Sequence, residues 1–188
     1  MSRTPLFPII GRLLDIANLP VLEGTSHVTS RTKASVYDFV TAPTDRSWTI
    51  HNRDDGTTED YSPAHGRRIR RGEFDHIDPD LRIPTAPICI RPCYPLDLDV
   101  WGRSRDEWYL SEVTNTASGC LLRAEHSTGS DAHTVLTFDD RMGLLTRWEV
   151  FENDVPVHSV VLTDLRQPKT LDSSGEASGT PMATVFDD

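Results

Sequence analysis

The sequence predicts an α+β fold in which a curved antiparallel sheet of about eight to ten strands packs on one N-terminal amphipathic helix. Two patterns predict it: a helical stripe of apolar residues near the N-terminus, and a long series of strand-like segments separated only by turns. Strands at short spacing without helices between them indicate an antiparallel meander. A sheet with one apolar face then needs the helix to cover that face.

Apolar residues at helical spacing predict the helix at about residues 5–18. The positions i, i+3, i+4, i+7, i+8 and i+11 are occupied by Leu6, Ile9, Ile10, Leu13, Leu14 and Ala17. Asn18 and Pro20 supply the stop signal. We therefore expect the stripe to face the sheet.

The first half of the chain carries strand and hairpin patterns. Alternation of apolar and polar residues on both sides of the turn Asp54-Asp55-Gly56 predicts a hairpin, and Asp-Gly is the specific part of that signal. The predicted strands of this half are residues 26–40, as two strands or one bent strand, then 48–52, 57–61 and 67–74.

The two halves are separated by a proline-rich connector at residues 79–95, which holds five of the 13 prolines. This density excludes a helix or a central strand and predicts an extended loop or short turns. Beyond it, strand patterns alternate with turns rich in Ser, Gly, Asn and Asp. The predicted strands of the second half are residues 96–101, 108–114, 120–126, 133–138, 144–151 and 157–165.

The length of 188 residues suits one domain with a modest appendage. We predict a single domain over residues 1–166, with the sheet at about 21–166. Residues 167–188 are rich in Pro, Ser, Gly, Thr and acidic residues and carry −3 of the net charge of −10. That composition predicts a flexible acidic tail.

Composition and charge exclude several classes of partner. With 19 basic and 29 acidic residues, the chain is expected to bind neither nucleic acid nor an anionic membrane surface. Three cysteines leave one unpaired in any disulfide scheme, which favours free thiols in a reducing compartment. The sequence shows no signal-peptide core and no run of apolar residues long enough to span a membrane. These observations predict a cytoplasmic protein of unspecified oligomeric state.

The strongest family signal lies in the closing strands. Residues 138–151 contain an Asp-initiated turn that ends at Gly143 and leads into the strand Leu144-Leu145-Thr146-Arg147. A short turn at 153–157 and a final strand with Thr163-Asp164 follow. This arrangement resembles the closing strands of the LolA-like lipoprotein-carrier superfamily. The resemblance extends over about residues 21–166 and is most specific in the C-terminal third.

Residues 48–61, followed by a Tyr61-Ser62-Pro63 turn and by Gly66-Arg67-Arg68, also resemble the small strands of that family. The resemblance implies a half-barrel that encloses an apolar cavity, which in family members holds acyl chains of lipoproteins or lipids. It therefore implies non-catalytic binding of a small hydrophobic or lipid-like ligand. The alternative is a protein–protein interaction or regulatory module with a filled core and no ligand.

On the half-barrel interpretation, large aromatic and aliphatic side chains of the strands line the concave wall, and the helix forms its lid. A tryptophan in a strand either fills a core or lines a cavity. The expected wall residues are Trp48, Ile50, Leu122, Leu136, Leu144, Trp148 and Val161. The expected lid residues are Ile9, Ile10, Leu13 and Leu14.

A basic cluster at residues 67–71 is a candidate anion site. Arg68 and Arg70 share one face of the predicted strand, and paired guanidinium groups recognise phosphates and carboxylates. The alternative is a charged edge strand that discourages aggregation and pairs with neighbouring acids. The acids available for such pairing are Glu59, Asp60, Glu73 and Asp75.

No catalytic motif is present. The chain lacks a Gly-x-Ser-x-Gly turn and a glycine-rich phosphate loop, and its adjacent carboxylates lie in turns or in the tail. Cys89 and Cys93 do not have the spacing of a redox motif. His126, Asp131 and His133 flank a turn, where solvated side chains are the alternative to metal ligands. We predict no catalytic residue, no metal and no cofactor.

Overall fold

The computed structural model describes residues 6–14, 19, 21–83 and 85–167. Eleven strands form one antiparallel sheet in the order β6-β5-β4-β3-β2-β1-β11-β10-β9-β8-β7. The strands are β1 (Leu22–Ser30), β2 (Ala34–Ala42), β3 (Ser47–Asn52), β4 (Thr58–Ser62), β5 (Gly66–Arg71), β6 (Phe74–Asp78), β7 (Trp108–Asn115), β8 (Gly119–His126), β9 (Ala132–Asp139), β10 (Leu144–Glu152) and β11 (Val155–Arg166). The helices of this part are α1 (Leu6–Leu14) and two 3₁₀ helices, Ile88–Cys93 and Pro95–Asp97.

The predicted antiparallel sheet is confirmed, and its turns have the backbone conformations that the sequence indicated. Gly56 in the β3–β4 turn has φ +69°. Asn153 and Asp154 between β10 and β11 have φ values of 50° and 60°, the pair of positive angles that a type I′ hairpin turn requires. The segment at 26–40 forms two strands rather than one bent strand.

Two strand predictions are wrong. Residues 67–74 do not form one strand, because the chain reverses at Gly72 and Glu73 and continues as β6. Gly72 has φ +55°, which a glycine adopts readily at the first central position of a type II′ turn. Residues 96–101 begin in the second 3₁₀ helix and contribute only an isolated bridge from Trp101 to Tyr109.

The strand order determines how far the chain between β6 and β7 has to reach. Strands β1 to β6 run outward to one edge of the sheet, and β7 to β11 run inward from the other edge. The two series meet where β1 pairs with β11, for example Ser26 opposite Leu162. Because β6 and β7 are opposite edges, residues 79–107 must traverse the whole sheet. The name connector refers below to this whole segment, which includes the predicted residues 79–95.

The connector crosses on the apolar face of the sheet, which we call the inner face. Side chains alternate between the two faces of each strand. The buried side chains of the paired strands, such as Trp48, Leu136 and Val160, point to the inner face and belong to one core. The same core contains connector residues Cys89, Ile90, Cys93, Tyr94, Leu98 and Val100. Of the two predicted alternatives, the structure has short turns, in the form of two 3₁₀ helices, rather than an extended loop. The sequence did not predict that this segment is compact and buried.

Helix α1 contacts the second 3₁₀ helix and the end of β9. Ile9 and Leu13 belong to the core, while the Arg12 guanidinium lies 4.9 Å from the centre of the Phe138 ring and forms a 2.9 Å ion pair with Asp140. Within the described residues, no helix has the length and apolar character needed to cross a membrane. The predicted helix residues 5 and 15–18, and the tail from 168 onward, lie outside the described residues.

The burial of the connector predicts a large difference between two substitutions in one 3₁₀ helix. Ile90→Ala removes a fully buried side chain and is expected to lower the free energy of unfolding by about 2–5 kcal/mol. Ile88→Ala, at an exposed position of the same helix, is the matched control and should change it by about 0.5 kcal/mol or less. Urea unfolding measures both. Equal losses of unfolding free energy in the two variants would contradict the burial of the connector on the inner face.

Candidate binding site

Six of the seven expected wall residues are buried in the core. They are Trp48, Ile50, Leu122, Leu136, Leu144 and Trp148. The prediction is wrong for the seventh, Val161. This residue pairs with Arg147 and His27 and points to the opposite face of the sheet, which we call the outer face. Its neighbour Val160 points inward instead, as strand alternation requires.

The wall residues border a filled interior. Leu122, Leu136 and Trp48 are at most 1% exposed, so no water molecule has room beside them. They share their core with the connector residues Ile90 and Leu98, which lie on the side where a ligand cavity was expected. Within the part of the chain that the structure describes, the space beside these walls is therefore occupied by the chain's own side chains.

Expected lid residues Ile9 and Leu13 are also buried in this core. Ile10 is half-buried, and the side chain of Leu14 lies outside the described residues.

Polar contacts fix the first 3₁₀ helix and the residue after it to the inner face. The Ser26 hydroxyl donates a 2.6 Å hydrogen bond to the Cys89 carbonyl. The Tyr94 hydroxyl donates to the Ser47 carbonyl at 3.1 Å and shares a hydrogen bond with the Thr41 hydroxyl. Burial raises the pKa of Tyr94, so the phenol stays neutral and able to donate.

A buried carboxylate anchors the second 3₁₀ helix to the sheet. Asp97 is 8% exposed and accepts two hydrogen bonds from the Arg46 guanidinium, at 3.2 and 3.0 Å. It also accepts the Ala86 backbone N–H at 2.7 Å. This bidentate, charge-assisted pair ties the connector to the β2–β3 turn.

The last part of the connector is shaped by Asp106. Its carboxylate accepts the backbone N–H groups of Trp101 and Arg103, at 3.1 and 3.0 Å, and pairs with the Arg103 side chain. The same guanidinium donates to the carbonyls of Leu96 and Leu98. Burial alone would raise the pKa of Asp106, but these hydrogen bonds outweigh it and lower the pKa.

Where the first 3₁₀ helix meets β10 and β11, Arg91 and His158 flank Trp148. The Arg91 guanidinium lies 5.8 Å from the centre of the Trp148 ring, and the His158 ring packs edge-on against it at 5.6 Å. The Nε2 atom of His158 is buried and has no hydrogen-bond partner among the described residues. Burial, and secondly the charge of Arg91, lower the pKa of His158.

The expected anion site is occupied by carboxylates of the chain itself. Arg68 donates two hydrogen bonds to Asp75, at 2.9 and 2.5 Å, and Arg70 forms a 2.9 Å ion pair with Asp60. The structure thus favours the alternative as far as pairing with neighbouring acids is concerned. The strand is not an edge strand, however, because β6 lies outside it in the sheet. The remaining pairs of the cluster are Arg67 with Glu59 at 2.5 Å and Arg71 with Asp55 at 3.9 Å.

The two cysteines of the first 3₁₀ helix and the two histidines at the β8–β9 turn do not form reactive sites. Burial raises the pKa of Cys89 and Cys93 to about 12, which keeps both as neutral thiols with little nucleophilic or metal-binding character. His126 and His133 lie on opposite faces of the sheet, since His133 pairs with Glu125, whose neighbour His126 points to the other face. Across the ranges that the structure describes, no group of three His, Cys, Asp or Glu side chains is placed to hold a metal.

An open groove of about 530 Å³ lies where the β8–β9 and β10–β11 turns meet the start of β7. Its lining residues are Glu107, Trp108, His126, Ser130, Asp131, Ala132, Val150, Glu152 and Asn153. The His126 ring packs edge-on against Trp108, with ring centres 4.9 Å apart. Glu152 is ion-paired with Arg31. For Glu107 and Asp131, in contrast, the described residues provide no ion-pair partner.

A second groove, of about 480 Å³, lies beside the first and shares Ser130, Asp131 and Asn153 with it. On this side the His133 ring stacks on Phe151 with centres 4.9 Å apart. Burial, and then the charge of Arg123, lower the pKa of His133. The turns that border the two grooves are predicted by the sequence, but no sequence pattern predicts a groove between them.

The fold is similar to solved structures at low sequence identity. The MucA/MucB complex of Pseudomonas aeruginosa matches with 14% identity over 85% of this chain and 56% of that chain, at a TM-score of 0.55. An uncharacterized conserved protein from Thermus thermophilus matches with 8% identity over 86% of each chain, at a TM-score of 0.49. A DUF1329 family protein from Desulfovibrio piger matches with 9% identity over 88% of this chain and 92% of that one, at a TM-score of 0.37.

At such low sequence identity, these similarities show the fold alone. This chain spans just over half of the length of the MucA/MucB chain that it matches. The resemblance to LolA-like proteins is confirmed at the level of fold. No family model and no curated protein matches the sequence.

The Arg46–Asp97 pair generates a prediction about the anchoring of the connector. Arg46→Met removes two hydrogen bonds from the buried Asp97 carboxylate and is expected to lower the free energy of unfolding by about 1–3 kcal/mol. Arg31→Met breaks the exposed pair with Glu152 and should change it by about 0.5 kcal/mol or less. Urea unfolding curves give both changes in free energy from the shift of the midpoint, provided that the dependence on urea concentration is unchanged. An Arg46→Met midpoint equal to that of Arg31→Met would refute the anchoring role.

The histidine pKa shifts predict a loss of stability on mild acidification. His133 and His158 have folded-state pKa values below 6.5, so below that pH the unfolded chain takes up protons that the folded chain does not. Their contribution is complete above pH 6.5 and is lost as the pH falls toward the folded-state values. Unfolding measured from pH 7.5 to 5.5 should show a shallower loss in His158→Gln and the shallowest in the double variant with His133→Gln. A slope that neither substitution changes would disprove this assignment.

Proposed function

We propose that this LolA-like chain is a non-catalytic binding protein that holds a segment of a partner protein in the groove beside Trp108. In this proposal the sheet is the curved half-barrel of the fold, with α1 at one end and the connector filling its cavity. The observation that carries the proposal is the filled inner face, where Leu122 and Ile90 are fully buried in one core. Binding then takes place at the open end of the sheet, where the groove is bordered by the β8–β9 and β10–β11 turns.

The groove offers the features of a polypeptide-binding surface. Trp108 and Val150 contribute to its lining, and aromatic residues are frequent anchors of protein interfaces. Glu107 and Asp131 add carboxylates that are not neutralised within the described chain. Together these groups fit a segment with an apolar side chain next to lysine or arginine, and the net charge of −10 favours such a partner.

The comparison with solved structures supports a protein partner. The structure of P. aeruginosa MucA/MucB is that of a complex, so this fold occurs with a second protein bound. A hydrophobic or lipid-like ligand, the other function of the fold, would require the connector to leave the inner face. A lipid that co-purifies with the protein is therefore the outcome that distinguishes the two functions.

Site-specific photo-crosslinking tests the proposal. A benzoylphenylalanine residue at position 107 or 131 lies in the groove, whereas one at Asn115, exposed at the far end of β7, is the matched control. In cells of the source organism, positions 107 and 131 should capture the same protein and position 115 should not. Glu107→Lys combined with Asp131→Lys, both at exposed positions, should abolish capture from a probe at position 130.

Native mass spectrometry of freshly purified protein provides the second measurement. The expected spectrum shows the unmodified chain, and a fluorescent fatty acid should show no saturable binding. A stoichiometric lipid adduct, or crosslinking that is the same at positions 107 and 115, would contradict the proposed function.

A further inference from the structure

We propose a second interaction surface at the opposite edge of the sheet: strand β6 docks an extended, basic segment of a partner protein as an additional strand. This surface consists of β6 with the flanking residues Glu73 and Asp80, and it does not depend on the groove beside Trp108. Three observations carry the proposal: the free backbone of β6, the exposure of its apolar side chains, and the balance of charge around it.

The backbone of β6 has one unpaired side. The strand stands at the end of the sheet order and pairs with β5 alone. The two-residue turn makes Arg71 and Phe74 a hydrogen-bonded pair, so that hydrogen-bonded and non-hydrogen-bonded pairs alternate from there. The N–H and C=O groups of Asp75 and Ile77 therefore point away from β5, ready to pair with another strand.

Large apolar side chains are exposed on both sides of this edge. Phe74 is 58% exposed and Ile77 is 57% exposed. Three residues apart on a strand, they lie on opposite faces. Proteins normally protect edge strands with charges or cover exposed apolar residues, so this combination marks an interaction surface. A strand laid along β6 would cover part of both side chains.

The charge around β6 is negative in spite of the four arginines in β5. Each of these arginines is ion-paired with an acidic residue of this chain, so none contributes a free positive charge. Glu73, Asp78 and Asp80 have no ion-pair partner within the described residues. An incoming strand therefore meets unneutralised carboxylates, which selects lysine or arginine.

The same charges select the occupant. A second copy of the chain, paired through its own β6, would bring Glu73, Asp78 and Asp80 against an identical set. Like charges placed close together across paired strands oppose association. A basic partner strand has no such repulsion, and β-strand addition to an exposed edge is an established way of binding an extended peptide.

Fluorescence anisotropy with two synthetic octapeptides tests the proposal. One alternates valine and lysine, and the other alternates valine and glutamate. The lysine peptide should bind saturably and at least tenfold more tightly than the glutamate peptide, with an affinity that falls as salt is added. Ile77→Pro removes an outward N–H that pairs with nothing in β5, and it should reduce binding at least tenfold. Ile77→Val keeps the N–H and an apolar side chain and should bind almost as the parent chain does.

A specificity swap keeps the test decisive if Ile77→Pro disturbs the hairpin. Glu73→Lys combined with Asp78→Lys should reverse the preference in favour of the glutamate peptide. Equal binding of the two peptides, or an unchanged preference in the swapped variant, would overturn the proposal. So would a dimer that forms through β6 and is lost in Ile77→Pro. Crosslinking at position 107 should be the same in all these variants, so failure here is distinguishable from failure of the groove.

Discussion

The pairing of β1 with β11 at the centre of the sheet determines the rest of the architecture. It joins two meanders whose outer strands, β6 and β7, end at opposite edges. The chain between them has to cross a face of the sheet, and only the apolar face offers burial. The prolines of the connector suit this task, because short 3₁₀ turns and fixed φ angles give a compact path without a regular ladder.

The crossing changes what the fold can bind. A curved sheet with an empty concave face has room for an acyl chain, whereas here Ile90, Leu98 and Val100 complete the core. Buried polar groups of the connector are matched rather than orphaned, as the Ser26–Cys89 and Arg46–Asp97 contacts show. Such pairing specifies one position for the segment, because displacing it would leave several polar groups unsatisfied. Binding surfaces then arise at the hairpin tips and the sheet edges.

Local patterns predicted local structure well and long-range placement poorly. The strands from β7 to β11 follow from alternation and from turns such as Asn153-Asp154, whose conformational preferences act within a few residues. Proline density in the connector reports backbone conformation but not the face on which the segment lies. Val161 was assigned to the wrong face because Val160 and Val161 are equally apolar. The groove combines Glu107, Asp131 and Asn153 from separate segments, so no local sequence motif predicts it.

The protection of Cys93 tests the filled inner face most directly. Its thiol is fully buried in the first 3₁₀ helix, and Cys89 lies one turn away. If the connector completes the core, iodoacetamide should alkylate Cys93 only through unfolding, at a rate that rises steeply with urea. Fast alkylation in buffer, independent of urea while the sheet stays folded, would show that the connector leaves the inner face and would contradict this account.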